Sequence, residues 1–99
     1  MDFKAMQKRV YQNKVNKGFN VSDVAEEFCH LNGEVSEAYD AYWRKKDDLG
    51  EELADVAIYL MGIAEILGFD LEKEIENKIE KNENREYINV DGVYIRVKG

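Results

Sequence analysis

The sequence predicts an all-α protein: an antiparallel bundle of about four helices with a short C-terminal β-hairpin, assembled as an oligomer. Three observations carry that expectation. The chain has no proline and seven glycines, which suits long helices joined by tight turns. Apolar residues recur at helical spacing through its two central segments. With only 99 residues, one copy offers a limited core, so some stability should come from other copies.

Residues 4–16 are the first expected helix, ended by Lys17-Gly18. Ser22 or Asp23 can cap a second, in which Val24, Phe28, Leu31, Val35, Ala38 and Tyr42 alternate spacings of four and three and mark one apolar face. It should run to about Lys46, where basic residues complement the C-terminal dipole. Asp48 followed by Glu51 reads as a capping box that opens a third helix. From Leu53 to Phe69 only Asp55 and Glu65 are charged, so this helix should be buried on several sides. Gly68 stops it. Asp70 caps a fourth helix over residues 71–83, more polar and weakly striped by Leu71, Ile75 and Ile79. The period then changes: Tyr87–Val90, Asp91-Gly92 and Val93–Val97 spell a hairpin of β-formers around a two-residue turn. Two strands alone are marginal in water, so the hairpin should pack on the helices or pair with another copy's hairpin. The expected division is a helical domain over residues 1–86 and a hairpin extension over residues 87–99.

Composition narrows the function. The 21 acidic against 14 basic side chains leave a net charge of -7, which argues against nucleic acid as a partner and for a site that collects cations. The opening MDFKAMQKRV has no apolar leader, and no stretch approaches about 18 apolar residues, so no membrane partner is expected. Cys29 is the only cysteine, which excludes an intrachain disulfide and suggests a reducing, cytoplasmic location. His30 beside it has no further Cys or His at ligand spacing, so zinc is not expected. The glycines are scattered and form no phosphate loop.

Two pairs of acids stand out, Glu34/Glu37 and Glu52/Asp55. Each is at i, i+3, which puts both carboxylates on one helix face about 4.5 Å apart along the axis. If the second and third helices fold back on each other, Glu34 comes level with Asp55 and Glu37 with Glu52. Both pairs share a midpoint between Arg44 and Lys45, close to the turn at Lys45–Gly50 read from the caps. Four carboxylates at one level repel one another and lose hydration, so they need protons or cations. Hard divalent ions, Mg²⁺ or Mn²⁺, suit oxygen ligands. The alternative is a solvated acidic face with Asp55 paired to a Lys or Arg. On the fourth helix Lys78, Asn82 and Arg85 recur at i, i+4 and i+7, and can offer charge and amide donors to phosphate oxygens. Otherwise Lys78 simply supports the helix through Glu74.

From Phe28 to Arg85 the sequence resembles the MazG-like, all-α nucleoside triphosphate pyrophosphohydrolases. The matching stretches are Gly33-Glu34-Val35-Ser36-Glu37-Ala38, then Glu51-Glu52-Leu53-Ala54-Asp55-Val56 with Tyr59, then Lys78-Ile79 with Asn82 and Arg85. The resemblance implies that Glu34, Glu37, Glu52 and Asp55 ligate Mg²⁺, with Mn²⁺ as a substitute, and that Glu34 or Glu37 is the catalytic base. It implies that Lys78 and Asn82 hold phosphates, that Arg85 belongs to the same substrate-binding set, and that Tyr59 lies near the nucleotide. The implied reaction cleaves a nucleoside triphosphate substrate between the α and β phosphates, in a homo-oligomer of two or four subunits. Gly33 stands where many members carry a further Glu, which leaves the number of ions open. The alternatives are a relative acting on another pyrophosphate compound, such as phosphoribosyl-ATP, and a non-catalytic helical module that binds nucleotides or cations.

Overall fold

The computed structural model describes residues 2–99. Four helices come first, α1 (Phe3–Lys17), α2 (Val24–Trp43), α3 (Leu49–Leu67) and α4 (Leu71–Glu83), followed by β1 (Glu86–Val90) and β2 (Val93–Lys98). Asp2, Asp23 and Asp70 sit at the N-caps of α1, α2 and α4. Each has an extended ψ, so its carboxylate accepts backbone N–H groups of the first turn. Asp23, not Ser22, therefore starts α2. Asp48 precedes α3 but makes no such bond, because its ψ of 12° turns the side chain away from the first-turn donors. The capping box expected at Asp48 and Glu51 does not form. Helix α2 also stops at Trp43, short of Lys46. Lys45 adopts a left-handed φ of 53°, and the Lys46 N–H donates back to the Ala41 carbonyl, closing the helix end. Gly68, at φ 79°, ends α3 in the same left-handed conformation.

Helix α3 is the central element, flanked by α1 and α2. It crosses α1 at Gly62, where a methyl group would meet Val10 and Lys14 at ordinary contact distance. The apolar core is small: Ala38 and Ala41 from α2, and Met61, Ile63 and Ala64 from α3. Two polar side chains are buried with it. Gln7 donates from Nε2 to Glu65 Oε1 at 3.1 Å and to the Phe69 carbonyl at 2.8 Å, tying α1 to the end of α3. Glu27, only 2 % exposed, accepts from Lys14 Nζ and from Asn20 Nδ2, tying α1, the following turn and α2 together. A buried charge is tolerated when it is paired and hydrogen-bonded in this way.

The face of α2 turned toward its neighbours keeps Val24, Leu31 and Ala38 of the apolar stripe read from the sequence but not its other three members. It runs Val24, Glu27, Leu31, Glu34, Ala38 and Ala41. Phe28, Val35 and Tyr42 lie on the flank, 47, 48 and 61 % exposed. Neighbouring positions on a helix differ by about 100°, so Glu27, Glu34 and Ala41, each one position earlier, take the inward places that Phe28, Val35 and Tyr42 leave. Helix α3 is likewise enclosed only over residues 61–64, and Leu53, Ile58 and Leu60 are open. Among the described residues the hairpin packs on no helix. The described chain exposes 7565 Å², where a compact monomer of 11.5 kDa exposes about 5,800 Å². Its radius of gyration is 16.9 Å, against about 13 Å for a compact domain of this length.

Candidate metal centre

The chain reversal at residues 44–48 lays α3 back along α2 and brings Glu34, Glu37 and Glu52 together. One carboxylate oxygen from each lies within 4.8 Å of the other two. Asp55, one turn beyond Glu52, is outside that group of three, but its charge reaches both Glu34 and Glu52. Burial first, then Glu37 and Asp55, push the Glu34 carboxyl above its ordinary value, and a hydrogen bond to Glu37 adds to the shift. Burial also leads for Glu52, followed by Glu37, Asp48 and Asp55, while Lys46 opposes them. Oε2 of Glu34 and Oε2 of Glu52 are both buried without a hydrogen-bond partner. A carboxylate in that condition takes up a proton or a cation.

The donor set fits a hard divalent ion. It is all oxygen, and Mg²⁺ binds oxygens at about 2.0–2.1 Å, so ligands on opposite sides are about 4.2 Å apart. On the turn side of the cluster a depression of about 330 Å³ is lined by Ser36, Glu37, Asp40, Ala41, Lys46 and Glu52.

Tyr59 continues the face of α3 that carries Glu52 and Asp55. Burial, then Glu27, Glu34, Asp55 and Glu37, raise its pKa, so its hydroxyl stays protonated near neutral pH and can donate. The His30 ring lies 6.1 Å from the Tyr59 ring, and Lys14 Nζ lies 5.8 Å from its centroid. Lys14, Glu27 and His30 were not singled out as site neighbours by sequence. The signal was present: Glu27, His30, Glu34 and Glu37 recur at spacings of three, four and three, a polar stripe matched on α3 by Glu52, Asp55 and Tyr59.

The basic set on α4 is placed elsewhere. Helix α4 contacts α1 and α3 but not α2, and residues 73–84 are exposed. Lys78 is held below its ordinary pKa, first by Arg85, then by burial, Lys81 and Arg96, and none of the four site carboxylates acts on it. Arg85 donates from Nη1 to Asn82 Oδ1 at 3.0 Å. Lys78, Asn82 and Arg85 therefore gather at the far end of α4, and within one chain they do not meet the acids.

The model of the MazG-like family matches residues 17–93, the greater part of the chain and the whole of the carboxylate site. No curated protein and no solved structure matches it.

Proposed function

Because the chain belongs to the MazG-like family, we propose that it hydrolyses nucleoside or deoxynucleoside triphosphates to the nucleoside monophosphate and pyrophosphate. In this reading Glu34, Glu37, Glu52 and Asp55 hold Mg²⁺, or Mn²⁺ in its place. The observation that carries it is the convergence of three carboxylate oxygens, with buried oxygens of Glu34 and Glu52 left unpartnered. A bound divalent ion supplies neutralising charge to the triphosphate and to the departing pyrophosphate. The protein's own groups do the rest. Glu34 and Glu37, one turn apart on α2, orient the attacking water, and one of them accepts its proton. Tyr59 donates from the wall of the site to an oxygen of the nucleotide. Lys78, Asn82 and Arg85 bind phosphate oxygens.

The same reading makes the protein a homo-oligomer. The surplus of exposed area and the open apolar flanks of α2 and α3 support it. Since α4 stands clear of α2 in its own chain, its basic set would serve the carboxylates of a neighbouring copy.

The test is pyrophosphate release from a panel of nucleoside triphosphates, with and without Mg²⁺, by the native protein and Asp55→Asn. Release should require the ion and fall about 100-fold or more in the variant. Triphosphates that bind without being cleaved would point instead to a non-catalytic module. Cleavage confined to phosphoribosyl-ATP would move the substrate.

A further inference from the structure

Among the described residues the hairpin has no partner in its own chain. β1 and β2 contact each other and no helix, and every residue of both strands is exposed. Their register sorts the side chains onto two faces. Val90 opposes Val93 and Ile88 opposes Ile95, and side chains alternate along a strand, so these four share one face. Tyr87, Asn89, Tyr94 and Arg96 share the other. The first face is wholly aliphatic, with its four side chains 45 to 62 % exposed. Asp91 and Gly92 form the turn with positive φ at both positions, the geometry that matches the twist of paired strands. The sequence thus specifies this hairpin closely, yet two strands with a bare aliphatic face are marginal in water.

Area decides what covers that face. The chain exposes about 1,800 Å² more than a compact monomer of its mass. Obligate homodimers bury about 2,000–5,000 Å² in total, half from each copy, so the surplus falls within one copy's share of about 1,000–2,500 Å². It lies on α4 and the hairpin, which stand off the bundle, and on the apolar flanks of α2 and α3. A second copy therefore brings the apolar surface that the hairpin face lacks. We propose that the aliphatic face of the hairpin docks on a second copy of this chain, and that this contact holds the two strands together. The proposal rests on the oligomeric reading above and is independent of the carboxylate chemistry.

The test compares the mass in solution of three full-length proteins by sedimentation at equal micromolar concentration: the native chain, Ile88→Asp/Ile95→Asp, and Tyr94→Asp on the opposite face. The native chain and Tyr94→Asp should share a multiple of the chain mass, and the double variant should drop to a smaller one. Hydrogen exchange on the native protein removes any dependence on the variant's folding. The cross-strand amides of residues 88–95 should be protected by about tenfold or more when assembled, and should lose that protection on dilution. A native chain of single mass would overturn the proposal together with the oligomeric reading. A native oligomer whose mass survives the double substitution, or whose hairpin amides exchange freely, would overturn the proposal alone.

Discussion

Glu34 and Glu52 are perturbed from the same sources, lost hydration and neighbouring carboxylates, and both hold their protons to higher pH than in the unfolded chain. In the folded, metal-free protein each therefore binds more protons than it does unfolded, over the range between its ordinary and its raised pKa. Their contribution is fully present below about pH 4.3, the ordinary value for a glutamate, and is lost as pH rises through the folded values. Thermal unfolding with a chelator present should thus give a midpoint that falls as pH rises above the ordinary glutamate value, with a shallower slope in Glu34→Gln. Equal slopes would remove the coupling. The acids are legible in the sequence because carboxylates interrupting apolar helices are costly and their spacing sets a common level. What the sequence does not reveal is that Glu27 is a buried anion. Its partners Lys14 and Asn20 are 13 and 7 positions away, and only the packed helices bring them to it.

Among the elements, α2 shows how a hydrophobic pattern can be right about half of a buried face: Val24, Leu31 and Ala38 turn inward as read. Phe28, Val35 and Tyr42 are the larger apolar residues, but Glu27, Glu34 and Ala41 face the neighbouring helices. Apolar periodicity marks a face that needs covering; it does not say whether the cover comes from the same chain. The helix boundaries were legible where a single residue has the required side chain or φ, as at Asp23, Gly68 and Asp70. They were not legible at Asp48, where the backbone angle and not the residue type decides. Asp70 anchors the one helix that stands off the bundle. Its carboxylate accepts from the Lys73 N–H at 3.2 Å and pairs with Lys4 of α1 at 3.3 Å. The backbone bond first, then Lys4, hold its pKa below the ordinary value. Such a group stabilises the fold above about pH 3.9 and loses that effect as pH falls through its lowered folded value. Asp70→Ala should lower the thermal midpoint at pH 7, with the difference shrinking as pH falls through the lowered folded value. An undiminished difference at low pH would assign the effect to something other than the charged cap.

At the scale of the whole molecule, five apolar side chains are buried among the described residues and 21 large ones are exposed. It also collects its acids near the chain reversal and its cations at the end of α4. That separation of sign was only half visible in advance: the motifs could be read, but which of them share a chain's site is a matter of how far α4 reaches. No helix among the described residues is long and apolar enough to cross a membrane. The central claim is that the carboxylates joining α2 to α3 are a seat for a divalent ion. Thermal unfolding with Mg²⁺ added at constant ionic strength and protein concentration tests it most directly, in the native chain and in Glu37→Gln. Binding at a hundred times the dissociation constant stabilises by about 2.7 kcal/mol, so the native midpoint should rise on the order of 10 °C. Glu37→Gln, with one like charge removed, should start at a higher midpoint without the ion and gain little from it. Equal gains in the two proteins, or no gain in either, would contradict the account.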